Sequence, residues 1–325
     1  MRELRYDQAL CEALDEILAD SRKVSLIGGN FGSLTPSQEL VNAVLQKHPG
    51  RVSWPPISEL GYAGAAIGAA MVGVPVIVDF TSASFAYEAL PQIVNEAAIA
   101  YSNSAGQVKV PVVFHMLYGL HGGAAAQHSG GPQAWMWNTP GLEVVIPGTP
   151  ADVKGLLRWA ALESQNPTVF LSHRQLFETT GPVPEGIFDI PFGQAAVERE
   201  GRDVTLVALG IQVPRALQAA DILARDGIQA EVVNPRTLAP LDTATILTSV
   251  RKTGRVVTTE ESFDPCGVAA GLAAIIADEG FATLKAPIKR VSIPPVPIPS
   301  AKSLEDTLIP TAERIAQVAK ELVRG

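Results

Sequence analysis

Two side chains stand where chemistry needs them: an acid, Glu59, in RVSWPPISELGYAGAAIGAAMVG (residues 51–73), and a histidine, His128, in AAAQHSGG (residues 124–131). Glu59 opens a stretch predicted to be a helix built almost wholly from Gly and Ala, with Ala65, Ala66, Gly68, Ala69 and Ala70 in succession. So little bulk cannot fill a core alone. Small side chains let a backbone or a flat ligand approach closely. The acid at its mouth either complements the helix dipole or is a working group held beside that ligand. His128 follows an apolar run, VPVVF, and a glycine-rich loop, YGLHGG, so it is predicted near the carboxyl end of a parallel strand, where ligands bind. There it can serve as acid, base or hydrogen-bond donor, or only as a structural loop residue. Ser129 beside it makes no hydrolase, because GxSxG is absent and adjacency along the chain is not a triad.

The elements that must position these groups alternate along the chain. In the first half, strands are expected at Val24–Ile27, Pro75–Asp79, Val110–Phe114, Leu142–Ile146 and Thr168–Ser172. Helices are expected over Tyr87–Tyr101 and Ala151–Ser164. Near-continuous apolar runs of this kind, separated by helices, argue for parallel strands buried on both faces. Glycines and prolines crowd residues 178–193, which read as a linker. The second half repeats the pattern, with strands at Val204–Leu209, Ala230–Asn234, Arg255–Thr259 and Lys289–Ile293. Its helices are expected over 213–226, 241–250, Gly267–Asp278 and Ser303–Val323. PPVPIP, residues 294–299, is a stiff extended segment. The chain is therefore expected to be α/β, with two open parallel-sheet domains: residues 1–180, a linker at 181–193, and residues 194–325.

Composition narrows the function. The 325 residues carry a net charge of −8 and are 47% hydrophobic and 18% charged, with a mean hydropathy of +0.19. So large an apolar share suits covered sheets or an obligate oligomer. No basic cluster supports binding to nucleic acid or an anionic membrane. No apolar run reaches the length, about 18 residues, that spans a bilayer. Cys11 and Cys266 lie far apart without metal-ligand spacing, which fits a reducing cytoplasm. The amino-terminal stretch reads as an acidic amphipathic helix rather than a signal peptide. HExxH, paired DxD and the P-loop are all missing. LIGGNFG (residues 26–32) lacks the GxGxxG spacing and reads as a tight turn.

Several segments agree on one resemblance. PPISELGYAGAAIGAAMVG, FTSASFAYEALPQIVNEAA, AAAQHSGGPQAWMWNTPGLEVVIPGTPADVKGLL, VVNPRTLAPLDTATILTSVRKTGRVVTTEES and VPIPSAKSLEDTLIP resemble the β subunit of the thiamine-diphosphate-dependent decarboxylase component of 2-oxo acid dehydrogenases, with pyruvate, branched-chain and acetoin members. The resemblance covers nearly the whole chain. It implies a transketolase-like pyrimidine-binding domain followed by a transketolase carboxyl-terminal-like domain. It further implies an α₂β₂ heterotetramer in which the α subunit holds the diphosphate and magnesium while this chain holds the aminopyrimidine. Glu59 stands at the family's activating glutamate, Phe85 at the aromatic stacked on the pyrimidine, Thr81 beside the cofactor, and His128 at the histidine that meets substrate or lipoyl group. Potassium held by backbone carbonyls of Ala161, Leu162, Ser164 and Asn166 is also implied, as are contacts with a second β subunit and with a lipoyl acyltransferase core.

Departures from the family pattern point to a divergent member. Gly29 and Asn30 replace an acidic pair, so proton coupling between two active sites is in doubt. His115 replaces an Arg, Pro55 a Thr, Pro91-Gln92 an Asp-Gln, and Thr81 a larger side chain. Ser172, His173 and Arg174 replace an acidic run. The alternatives are half of a split transketolase-type ketol transferase and a non-catalytic docking subunit.

Overall fold

The computed structural model describes residues 1–20, 22–28 and 38–325. Gly29, Asn30 and most of the LIGGNFG turn lie outside the described residues. The chain divides into two units: Met1–Gly119 with Gln127–Phe192, and Leu120–Ala126 with Gly193–Gly325. The strands are β1 (Arg2–Arg5), β2 (Ser25–Gly28), β3 (Val52–Ser53), β4 (Val76–Ser82), β5 (Val112–Tyr118), β6 (Glu143–Val145), β7 (Thr168–His173), β8 (Thr180–Val183), β9 (Ala196–Arg199), β10 (Val204–Ala208), β11 (Ala230–Asn234), β12 (Thr237–Ala239), β13 (Val256–Phe263) and β14 (Lys289–Ile293).

In the first unit the order is β6-β7-β5-β4-β2-β3, and every one of these pairings is parallel. β4, β5 and β7 are buried along their whole length, as expected where both faces are covered. Their apolar side chains, among them Ile77, Val78, Phe114, Phe170 and Leu171, are fully enclosed. The helix Tyr6–Ala19 packs against the helix Pro150–Leu162. Buried Lys154 meets Glu16 at 2.8 Å and Glu12 at 3.1 Å, and Arg158 meets Glu16 at 3.1 Å. A buried cation needs such partners, because desolvation otherwise drives it to its neutral form.

In the second unit the order is β14-β13-β10-β11-β9, parallel except that β9 runs antiparallel at the edge. Leu206, Val232, Val257 and Val291 of its strands enclose a core with Leu223, Ile315 and Leu322 of its helices.

Four expectations are corrected or refined. The amino-terminal segment does not begin as helix: Arg2–Arg5 pairs antiparallel with Thr180–Val183, so the proline-rich stretch after 178 begins as strand rather than free linker. The apolar run Val110–Phe114 becomes a strand that reaches Tyr118 and so places His115 inside the sheet. The helix expected over Tyr87–Tyr101 is found at residues 90–103, but a 3₁₀ turn at Ala83–Tyr87 precedes it and it carries a π-helical turn at Gln92–Ala97 before the α-helical Ala98–Asn103. The helix expected over Ser303–Val323 breaks into Lys302–Glu305, a 3₁₀ turn at Asp306–Leu308, and Ala312–Arg324 capped by Thr311. Pro310 explains that break, since proline has no amide proton and disfavours helix at the preceding residue.

Candidate active site

The helix Glu59–Met71 begins at Ser58, whose hydroxyl accepts the Gly61 amide at 3.3 Å. Ser is a favoured cap for this reason. Glu59 is thus the first helical residue, and in the single chain it is half-buried. Its helix turns Tyr62 onto Phe80 of β4, with ring centroids 5.7 Å apart. Burial pushes the Tyr62 phenol well above its ordinary value, and the charges of Glu59 and Asp79 push it further. Tyr62 therefore stays a neutral phenol.

β4 ends in Asp79-Phe80-Thr81-Ser82 and passes directly into the 3₁₀ turn that carries Phe85. Thr81 is buried and holds a positive φ of 63°. The Phe85 ring and the His128 imidazole meet edge to face, with centroids 5.3 Å apart and planes at 76°. Thr81, Phe85 and His128 therefore gather at the carboxyl end of the first sheet, and Glu59 sits at the start of a helix packed on β4. β5 ends beside them at Gly119, where φ is +100° and a Cβ would lie 1.9 Å from Nε2 of His173. Only glycine fits beneath that ring. His173 accepts the Gln175 amide on Nδ1 at 3.1 Å and meets Tyr118 edge-on at 5.0 Å.

A buried polar line runs under this end of the sheet. Nδ1 of His115 lies 3.5 Å from Asp79, its Nε2 lies 3.3 Å from the Ser172 hydroxyl, and the Tyr6 hydroxyl donates to Ser172 at 3.1 Å. Of these, His115 replaces an Arg and Ser172 belongs to the run that replaces an acidic one in the resemblance, and the bond between them is not readable from the sequence.

Residues flanking the site carry buried polar atoms that meet no group among the described residues: the hydroxyls of Ser82, Ser84 and Ser129, and Oε1 of Gln92. Buried polar atoms ordinarily find partners. These atoms are enclosed by the chain itself, so a ligand would reach them only if the site opened; the aromatic ring and the half-buried acid at this sheet end are the features that fit an aminopyrimidine.

The carbonyls singled out for potassium are partly occupied. That of Leu162 accepts from Arg22, and that of Asn166 accepts from the Ser164 and Thr168 hydroxyls at 3.3 and 3.5 Å. No group of three or more His, Cys, Asp or Glu side chains that could hold a metal occurs among the described residues.

The segment just before His128 is anchored within the second unit. Glu305 accepts the His121 amide at 3.1 Å and the Gly123 amide, and Glu261 accepts the Leu120 amide at 3.1 Å.

Fold and site together define a transketolase-type pair of domains. Residues 2–179 match the family described as transketolase, pyrimidine binding domain, and residues 193–315 match transketolase, C-terminal domain. The chain is 40% identical to "Pyruvate dehydrogenase E1 component subunit beta-2, mitochondrial" of Oryza sativa subsp. japonica, covering 98% of this chain and 86% of that one. It is 40% identical to "Pyruvate dehydrogenase E1 component subunit beta" of Rickettsia felis, with 97% of each covered. It is 38% identical to "Acetoin:2,6-dichlorophenolindophenol oxidoreductase subunit beta" of Cupriavidus necator, covering 100% and 98%. Among solved structures, "Split gene transketolase, inactive beta4 tetramer" aligns with a TM-score of 0.78 at 26% identity, covering 99% of this chain and 98% of that chain. The chain belongs to the family of β subunits of thiamine-diphosphate-dependent 2-oxo acid and acetoin dehydrogenases.

Proposed function

We propose that this chain is the pyrimidine-binding half of an enzyme completed by an α subunit in an α₂β₂ assembly, acting on a 2-oxo acid or an acyloin and passing the acyl group to an acceptor such as a lipoyl group. The observation that carries this is the gathering of Thr81, Phe85 and His128 at one sheet end, with Glu59 opening the neighbouring helix. When bound, thiamine diphosphate supplies a nucleophilic carbon for attack on a carbonyl group. Glu59 would hold the proton at the pyrimidine ring nitrogen, the task for which a carboxyl at this point is suited. Phe85 would cover the ring and Thr81 would border it. His128, steadied by the Phe85 ring, would hydrogen-bond the substrate or the acyl acceptor. The α subunit grips the diphosphate and magnesium. A potassium ion at the carbonyls of 161–166 would first have to displace Arg22 from Leu162.

The need for partners follows from exposed apolar surface. Ile57, Leu60, Met71 and Val72 stand exposed on and around the Glu59–Met71 helix, and Tyr87, Ile99 and Tyr101 on the segment after β4. Large apolar side chains exposed in this number are candidates for burial at an interface. A second copy and the α subunit would cover them. Split ketol transfer is the weaker alternative, because identity to the dehydrogenase subunits exceeds that to the split transketolase.

The test is reconstitution with an α subunit. We expect this chain alone to be inactive and the mixture to form a heterotetramer that decarboxylates a 2-oxo acid or cleaves acetoin in a thiamine-diphosphate-dependent way. A heterotetramer that turns over ketose phosphates and neither of those substrates would overturn the assignment.

A further inference from the structure

β4 does not run straight into the site. Asp79 pairs with His115 of β5, whereas Ser82 pairs with Leu117, so three residue steps along β4 match two along β5. The extra residue is a bulge. Bulges over-twist a strand and re-aim the side chains that follow, and their left-handed position is usually glycine. Here that position is Thr81, with φ of 63°. A β-branched residue seldom adopts this conformation. It persists only where the surroundings over-determine it.

The surroundings that do so are largely one side chain. Oδ1 of Asp79 accepts the Thr81 amide at 3.0 Å, and Oδ2 faces the Thr81 hydroxyl at 3.4 Å. This is the local bond by which Asp folds the backbone two residues on. Asp79 is itself confined from two sides. His115 stands 3.5 Å away on β5. On β2, Gly28 pairs with Asp79 and comes so near that a Cβ there would lie 2.5 Å from its carbonyl oxygen. Burial lowers the Arg174 guanidinium while the Asp79 charge raises it, so Arg174 too feels this carboxylate.

We propose that Asp79 is a positioning residue: its carboxylate locks the Thr81 bulge and thereby sets the turn that presents Phe85 to His128 and to the pyrimidine. Asp79 acts through Thr81 and has no part in proton transfer. The consequence for cofactor binding rests on the function proposed above. The backbone device itself does not.

The test is a double-mutant cycle on the full chain, with the denaturation midpoint and, in the α-reconstituted assembly, the thiamine diphosphate dissociation constant as readouts. Asp79→Ala is expected to lower the midpoint and weaken thiamine diphosphate binding about tenfold, the change that 1.4 kcal/mol produces. Asp79→Asn, which keeps an oxygen to accept the Thr81 amide, should retain most of both. Thr81→Gly removes the conformational demand, so in that background Asp79→Ala should lose little more of either. A purely structural acid would not be rescued by a glycine two residues away. Equal losses from Asp79→Ala in the parent chain and in the Thr81→Gly background would overturn the proposal. So would an Asp79→Asn variant as damaged as Asp79→Ala. If Asp79→Ala does not fold, the same cycle with Asp79→Ser decides it. A coupled midpoint in a wild-type assembly that binds no thiamine diphosphate would strike the functional assignment and leave the bulge device standing.

Discussion

β4 and β13 are interior strands of their own sheets. Each carries buried acid near its carboxyl end, and each loses register there, between Asp79 and Ser82 in one and between Thr259 and Phe263 in the other. Their acids are satisfied differently. Glu261 of β13 meets a full cation, Arg215, along with the Leu120 amide at 3.1 Å. Asp79 of β4 spends its oxygens on the backbone and hydroxyl of Thr81, with a histidine beside it. A carboxylate neutralised by arginine is an anchor and fixes a loop. A carboxylate that bends its own strand, next to an aromatic pair, shapes the sheet end at which Phe85 and His128 meet. The same irregularity thus serves attachment in one unit and presentation in the other.

Breaking the anchor should have the largest effect on stability. Arg215→Ala leaves the Glu261 carboxylate buried without its cation, and removing one partner of a buried pair costs about 3–5 kcal/mol. Chemical denaturation should show a loss of that size, and Arg215→Met combined with Glu261→Gln should recover most of it. A loss below about 1 kcal/mol, the range of exposed pairs, would place β13 outside the contrast.

A smaller effect is expected at Asp242, which caps the helix Thr243–Thr253. Its carboxylate accepts the Thr245 amide and the Ala195 amide, each at 3.0 Å, and the Thr245 hydroxyl at 2.7 Å. Burial pushes this carboxyl up, but these bonds outweigh it and hold it below the ordinary 3.8. A group depressed on folding contributes stability above its unfolded value and loses it as pH falls through the folded one. Asp242→Ala should therefore cost about 1–2 kcal/mol at neutral pH. Denaturation curves of the variant and the parent should converge as pH drops below about 3.8. A difference unchanged down to pH 2 would mean that the charge is not what caps the helix.

The smallest effect belongs to the carboxyl end of β4. Phe85→Leu keeps the bulk but removes the aromatic face proposed to cover the pyrimidine, and an aromatic contact of this kind contributes about 0.5–1.5 kcal/mol. Calorimetry on the reconstituted assembly should show thiamine diphosphate binding weakened by about that amount with the denaturation midpoint unchanged. A shifted midpoint with unchanged binding would make Phe85 a core residue like those of β13.

Much of this contrast was legible in the residues. Runs such as TVFLS and VTLVAL announce buried parallel strands because they need no polar face, and β11 and β14 fall where apolar alternation puts them. The segments carrying Phe85 and His128 stood out in the sequence, and the two rings meet in the structure. The β1–β8 pair did not stand out, because RELR and TGPV carry almost no apolar signal and owe their strand form to each other. The π-helical turn and the Thr81 bulge were hidden for a related reason. Both depend on contacts between distant segments, and threonine at positive φ runs against local preference. Pro310 was a visible helix breaker that the amphipathic pattern of Ser303–Val323 masked.

The central claim is that a carboxyl group from this chain controls the proton on a heterocycle held between two subunits. Its most direct measurement is exchange of the thiazolium carbon-bound hydrogen of thiamine diphosphate for deuterium, in assemblies of an α subunit with this chain or with its Glu59→Gln form. The account predicts an intact heterotetramer whose exchange rate falls by about 10²–10⁴, the span of acid–base catalysis. An exchange rate equal to that of the parent assembly would contradict it.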